Sequence, residues 1–435
     1  MSTISHNIKM LAKLVVKRSF WFHKAMNEIK KFDNMSLGEQ RAMQLNLLER
    51  TLVAAAKTKY YSSIFDSLPR FDNPVEWLKT IPYLDKELLR TKTKDFVANS
   101  LFTTSAYTSG TTGTPLKLRR NILSIAREQA NFFSWYNTGG WKSDNEMIEL
   151  RGTMVVPVNR SEPPYGIRDY IFKKNILSSY HLSDKTIPWY INKIKKTGAK
   201  FVSAYPSSAF VIADFMRRNN INPLNLNAVF LASETIFQSQ KDVIEKFIGP
   251  VYGHYGNAER VAWMTTCSAG YYHENINYGY TEYIPLGDNT YEIVATGFIN
   301  NSMPLLRYRT GDIAVDPFGR QHRCACGKNG PGCRKIIGRI DDLFITSDGR
   351  KIGRLDHVFK GVNNIIAAQI IQRSLEKTEI KVVRGNSYSK KDENLILENF
   401  LLRVGENVNV EFNYVNSIPR TKNGKFRAVV SFPLS

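Results

Sequence analysis

Short apolar runs alternate with helical stretches through the middle of the chain, and that alternation narrows the architecture sharply. Met154–Val158, Phe201–Ala204, Ala228–Ala232 and Ile293–Thr296 read as strands, with Ile187–Lys196 and Ala209–Arg218 as helices between them. Strands connected through helices bury both faces of a sheet when they run side by side. The pattern therefore predicts α/β layers with largely parallel sheets. From about Asp341 the texture changes. Ile365–Leu375, Ile380–Val383 and Val408–Tyr414 form a compact α+β tail, with Gly349 and Gly353 near its start and a polar loop at Asn386–Glu393.

A chain of 435 residues exceeds the ~250–300 at which one core stops growing, so at least two domains are expected. The change of texture divides them into 1–340 and 341–435. Hydrophobic content of 43% and aromatic content of 12% suffice for sizeable cores and exclude a disordered chain. Residues 1–65 read as helices: Met10, Leu11, Leu14 and Val15, then Phe20, Trp21, Met26 and Ile29, recur at spacings near three and four. A second helix is expected around Met43–Ala56. Lys9, Lys13, Lys17 and Arg18 would let the first helix touch an anionic membrane. Packing of its apolar face on the main domain is the simpler role.

Lys and Arg total 60 against 39 Asp and Glu, a formal charge of +21. Such a field favours anionic partners without selecting one. The basic residues are dispersed and not interleaved with base-stacking aromatics, so no nucleic-acid partner is expected. No uninterrupted apolar run reaches the ~20 residues that span a bilayer, and the stretch Met10 to Trp21, interrupted by Lys17 and Arg18, reads as no clean signal-peptide h-region with a cleavage site. A cytoplasmic protein is expected, with peripheral membrane association through the first helix as the variant.

Tyr107-Thr108-Ser109-Gly110-Thr111-Thr112-Gly113-Thr114-Pro115-Leu116-Lys117 is the most informative stretch. Its hydroxyls, the Cβ-free backbone at Gly110 and Gly113, and the charges of Lys117 and Arg119 suit a polyphosphate. It is not a Walker A loop, because Pro115 and Leu116 stand where Gly-Lys-Ser/Thr is required.

This string resembles the phosphate loop of the adenylate-forming superfamily, and further motifs follow in that family's order. Ser233-Glu234-Thr235 is similar to the family's loop against the adenine. Tyr255-Gly256-Asn257-Ala258-Glu259 resembles its aromatic-Gly-x-Thr-Glu motif, with Ala258 in place of Thr. Tyr308-Arg309-Thr310-Gly311-Asp312 resembles the ribose motif, Gly338-Arg339-Ile340-Asp341-Asp342 the hinge, and Pro419-Arg420-Thr421-Lys422-Asn423-Gly424-Lys425 the C-terminal lysine motif. The resemblance implies a large multi-sheet α/β N-terminal domain and a small mobile α+β lid. It implies ATP and Mg²⁺ as cofactors and a carboxylic acid as substrate, with CoA, an amine or a carrier thiol as acceptor.

By this resemblance Thr108, Ser109, Gly110, Thr111, Thr112, Gly113 and Lys117 would grip the phosphates, and Glu259 would hold Mg²⁺, a hard cation suited to oxygen ligands. Ser233, Glu234, Tyr255, Gly256 and Asn257 would line the nucleotide. Asp312 would take both ribose hydroxyls, assisted by Arg339. Lys425 would bridge the carboxylate and the α-phosphate, offsetting the repulsion of two anions. Asp341 or Asp342 would be the pivot of the lid.

The cysteines are too few for a disulfide framework. Cys324-Ala325-Cys326-Gly327 and the pair Cys267/His273 could supply a closed, structural zinc site. Members of the phenylacetate–CoA ligase-like branch carry similar elements, and this chain most resembles its capsular-polysaccharide-associated CapK-like members. The expected ligands are Cys267, His273, Cys324 and Cys326, with His322 and Cys333 as competitors. Arg151, Tyr165 and Arg168 flank a Pro-rich stretch where the acid would enter. The competing function is a degenerate adenylating fold that binds polyanions, which the +21 charge favours.

Overall fold

The computed structural model describes residues 14, 19–69, 71–98, 103–107, 116–153, 155–157, 159–339, 344–346, 351–352, 355–359, 362, 364–419 and 426–431. Among the described residues, five helices with defined bounds open the fold: α1 (Phe20–Asp33), α2 (Leu37–Ala55), α3 (Lys59–Phe65), α4 (Pro74–Thr80) and α5 (Lys86–Thr91). Each starts at a residue whose side chain accepts a bond from the first turn, namely Ser19, Ser36, Thr58, Asn73 and Asp85. Such caps satisfy backbone donors that a helix start leaves orphaned. A hairpin follows, β1 (Thr103–Tyr107) against β2 (Lys117–Asn121), leading into α6 (Ile122–Thr138). Phe22, Ala25 and Ile29 of α1 pack on Ala126 and Ala130 of α6. The apolar face of α1 is thus spent inside the protein, whereas the expected membrane-facing residues Lys9, Lys13, Lys17 and Arg18 lie outside the described residues. No helix among those described is long and apolar enough to cross a membrane.

The main body is a 12-stranded sheet. Its strands are β3 (Met147–Leu150), β4 (Gly166–Asp169), β5 (Lys174–Leu177), β6 (Phe201–Ala204), β7 (Ala228–Ala232), β8 (Val251–Gly256), β9 (Trp263–Thr266), β10 (Tyr272–Glu274), β11 (Gly279–Gly287), β12 (Thr290–Gly297), β13 (Tyr308–Phe318) and β14 (Gly332–Arg339). The order is β11-β12-β13-β14-β10-β9-β8-β7-β6-β3-β5-β4. Only β5-β3-β6-β7-β8 is parallel. The remaining pairings are antiparallel, so the expected largely parallel sheet holds for the βα half alone. Helices α7 (Ile187–Thr197), α8 (Pro206–Arg218) and α9 (Gln238–Phe247) cross between parallel strands. Strands β6 and β7 are buried at every position, as helices on both faces require.

The expected strand Met154–Val158 is a correction: Val155, Val156 and Pro157 lie in loop, and the strand is Met147–Leu150. Glu146 and Glu149 disguise it. Glu149 pairs with Lys174 at 2.7 Å and Glu146 pairs with Arg168, so the charges are neutralised inside the sheet where hydropathy reads surface.

The C-terminal residues form a separate small unit. After the short hairpin of β15 (Phe344–Ile345) and β16 (Lys351–Ile352), β17 (Ile365–Gln372), β18 (Lys377–Arg384), β19 (Asn409–Tyr414) and β20 (Val429–Val430) form a sheet ordered β19-β18-β17-β20. Helix α10 (Lys390–Val404) covers it through Ile396 and Phe400. The expected loop Asn386–Glu393 stops at Ser389, because Ser389 and Asp392 close a capping box that starts α10.

Candidate active site and metal centre

Strand β8 ends in Tyr255-Gly256, and β13 carries Tyr308 to Asp312. These strands stand four places apart in the sheet order, about 19 Å if the sheet were flat at ~4.8 Å per strand. Yet the Tyr255 hydroxyl donates to Asp312 Oδ2 at 2.8 Å. The antiparallel half therefore curls back over the carboxyl ends of the parallel strands, the edge where α/β sheets bind ligands. Gly311, at φ +71°, turns the chain just before Asp312, in a region only glycine enters without strain. The Asp312 backbone N–H is held by Thr310 Oγ1 at 3.0 Å. Arg339 is the cross-strand partner of Asp312 in β14.

Glu259 lies just beyond β8 and accepts the Tyr308 hydroxyl at 2.9 Å. Arg120 of β2 donates to the Ala258 carbonyl and is electrostatically coupled to Glu259. Burial, then the nearby Arg260 charge, pushes the Arg120 guanidinium down to about 10. Sequence reasoning passed over Arg120, although it shares a face of β2 with buried Leu118. Lys117 is exposed and pairs with Tyr107 where the hairpin opens into the phosphate-loop string. Thr108, Ser109, Gly110, Thr111, Thr112 and Gly113 lie outside the described residues, as do Asp341, Asp342 and Lys425.

Asn257 spends its side-chain oxygen on Val261 N–H at 3.0 Å, fixing the loop that presents Glu259. A Cβ at Gly256 would stand 2.8 Å from His254 Nε2, so that position is kept bare. Ser233 follows β7 at φ +73° and turns Glu234 toward α8. There the carboxylate accepts the Ser207 N–H at 3.0 Å, the Ser207 hydroxyl at 3.1 Å and the Phe426 N–H at 2.9 Å. Of the residues expected at the acid's entrance, Arg168 is committed to Glu146 by two nitrogens and Tyr165 to the Ser161 carbonyl at 2.6 Å. Arg151 reaches Ser203 Oγ at 2.7 Å, and its Nε has no partner among the described residues.

The second cluster is the one foreseen from spacing. Ligand atoms of Cys267, His273, Cys324 and Cys326 lie within 4.8 Å of one another. A tetrahedral zinc site with bonds of ~2.3 Å to sulfur and ~2.0–2.1 Å to nitrogen has edges of about 3.8 Å (S–S) and about 3.6 Å (S–N). Cys267 Sγ stands 3.8 Å from Cys324 Sγ, and Cys326 Sγ 3.6 Å from His273 Nε2. Both values fit a four-ligand cage and neither fits a disulfide. Gly327, at φ +84°, closes the knuckle by donating to the Cys324 carbonyl, and the Lys328 N–H approaches Cys326 Sγ at 3.4 Å. Burial, then the Lys328 and His322 charges, holds the His273 imidazole down to about 4, which favours the neutral form that binds metal. The competitors stand apart: His322 stacks on Phe318, and Cys333 is buried in an apolar cluster.

Residues 344–431 match the family model of the CapK C-terminal domain. Protein CapK of Staphylococcus aureus is 26% identical over 337 residues, covering 74% of this chain and 73% of that protein. The fold is similar to that of 2-hydroxyisobutyryl-CoA ligase in its postadenylation state in complex with R3-HIB-AMP (TM-score 0.64, 18% identity, 89% of each chain). An open conformation of the same ligase, bound to 2-HIB-AMP and CoA, gives a TM-score of 0.52 at 16% identity over 90% of each chain.

Proposed function

From a chain that resembles CapK and has the fold of the adenylate-forming ligases, we propose an enzyme that activates a carboxylic acid with ATP. The observation that carries this reading is the Tyr255–Asp312 hydrogen bond. It brings two motifs 57 residues apart to one edge of the sheet, with Glu259 and Arg120 beside them.

In the first half-reaction a carboxylate oxygen attacks the α-phosphorus of ATP, pyrophosphate leaves, and an acyl-adenylate forms. Asp312 accepts the ribose hydroxyls with the oxygen lone pairs left after the Tyr255 bond. Glu259, steadied by the Tyr308 hydroxyl, would hold Mg²⁺, which would supply positive charge to the phosphates that Ser109, Thr111, Thr112 and Lys117 would grip. Lys425 spans the two anions as they meet. In the second half-reaction a thiol or amine attacks the carbonyl carbon, loses its proton, and AMP departs. Rotation about Asp341–Asp342 would withdraw Lys425 between the two steps.

Arg151, just after β3 and with its Nε unpaired among the described residues, fits an acid bearing a second polar or anionic group. Likeness to CapK favours a cell-surface polysaccharide precursor or its modifying acid. Zinc held by Cys267, His273, Cys324 and Cys326 would have no open position and would serve structure, tying the ends of β9 and β10 to the 324–327 knuckle.

Pyrophosphate release is the test, with ATP, Mg²⁺, hydroxylamine as trap, and a panel of aryl, amino, fatty and sugar acids. Release dependent on one acid, with its hydroxamate formed, is expected. ATP binding without release for any acid would restrict the substrate to a carrier-bound acid. Absence of ATP binding, with steeply salt-sensitive polyanion binding, would favour the degenerate binding protein.

A further inference from the structure

Glu234 was expected against the nucleotide, yet its carboxylate is occupied otherwise. Helix α8 begins at Tyr205 without any side-chain cap and with proline in its first turn. Glu234, from the end of the neighbouring strand β7, supplies the cap from outside by accepting both the Ser207 N–H and its hydroxyl. A carboxylate there also meets the positive end of the helix dipole. The oxygen that takes the Ser207 hydroxyl also takes the backbone N–H of Phe426. Phe426 follows Lys425 directly in sequence. Residues 427 and 428 are tied in turn to the C-terminal sheet: Gln369 Nε2 donates to the Arg427 carbonyl at 2.8 Å, and Ile370 N–H to the Ala428 carbonyl at 2.9 Å. One carboxylate thus joins a helix start of the large sheet to the peptide that carries the lysine.

We propose that Glu234 is a positioning residue. It latches the Lys425–Phe426 peptide onto the N-terminus of α8, fixes the lysine for adenylation, and releases that peptide before acyl transfer. This rests on the adenylation reading above. The bond is charge-assisted, so it is strong enough to hold a segment in place. Its donor is a backbone N–H rather than a charged side chain, so breaking this contact strands no second charge. The left-handed backbone of Ser233 is explained by the same role, because it aims Glu234 away from the strand direction.

The experiment compares the full-length wild type with Glu234→Ala and Ser207→Ala. Amide hydrogen exchange of the peptide containing Phe426 reads the latch without any substrate. Glu234→Ala is expected to speed exchange at Phe426 by roughly tenfold or more, the range of one charge-assisted hydrogen bond. Peptides of β17 and β18 should be unchanged. Ser207→Ala, which weakens the cap but leaves the Phe426 bond, should keep Phe426 protected. Equal protection of Phe426 in wild type and Glu234→Ala overturns the latch.

With an acid found by the panel, pyrophosphate-release kcat should fall by roughly tenfold or more in Glu234→Ala, with the KM for ATP within about twofold of wild type. A raised KM with unchanged kcat would make Glu234 a nucleotide ligand instead and overturn the proposal. If wild type releases no pyrophosphate with any acid, the adenylation reading fails, while the exchange data still decide whether the latch exists.

Discussion

Asp312 and Tyr255 show how much one hydroxyl can organise. With Tyr255 donating to Oδ2, the carboxylate is held in one rotamer before any nucleotide arrives, so less entropy is lost on binding. Tyr255→Phe should raise the KM for ATP by about 3- to 10-fold and change kcat less, as removal of uniform binding does. Steady-state pyrophosphate release at varied ATP checks it, and an unchanged KM would contradict the assignment. His254 makes a different prediction. Burial, then the Arg151 charge, pushes its imidazole down to about 3, against an unfolded value near 6.5. Between those values the unfolded chain binds a proton that the folded chain does not, so stability is lost as pH falls through the window. Burial pushes the Glu274 carboxyl up to about 7. It therefore acts with the opposite sign, losing stability as pH rises from about 4.5 toward 7. The comparison must be with His254→Phe, which removes the histidine's effect and leaves that of Glu274. Urea melts at pH 6 and pH 5 should show wild type losing up to roughly 1.4 kcal/mol more than the variant. Equal losses would contradict a buried neutral His254.

Among the elements, the Cys324–Gly327 knuckle has the sharpest consequence. It is a loop with little apolar burial of its own, so the metal should carry its order. Protein purified without chelator or added zinc should hold about one equivalent, and under half would rule the site out. Cys324→Ser should lose the metal and lower Tm by several degrees. The clustering of these side chains was legible because two cysteines one residue apart, followed by glycine, and a Cys/His pair upstream are spaced as a metal site requires. Strand β3 was not, because the ion pairs that neutralise the half-buried Glu146 and Glu149 have partners on β4 and β5 that no local pattern announces. The partners of Glu234 were hidden for the same reason: Ser207 is 27 residues away and Phe426 is 192. Motif strings mark candidate residues one segment at a time, but the curl that brings β13 to β8 is a property of the whole sheet.

For the whole molecule, the proposed activity needs the edge of the 12-stranded sheet where Tyr255 meets Asp312 to work with Lys425 from the C-terminal part of the chain. A residue that serves only the first half-reaction should show that division. Lys425→Ala should lower adenylate formation by at least about a hundredfold while leaving transfer from supplied acyl-adenylate within a few fold. Equal loss in both half-reactions would remove the case for a moving lid. The measurement that bears most directly on the central claim follows an oxygen atom. An acid labelled with ¹⁸O in its carboxylate is turned over with ATP, Mg²⁺ and hydroxylamine, and the nucleotide product is analysed by mass. If the carboxylate attacks the α-phosphorus, its bridging oxygen leaves with AMP, so the AMP carries one ¹⁸O. Turnover that leaves AMP unlabelled, or that forms ADP and labelled phosphate, would contradict acyl-adenylate chemistry in this protein.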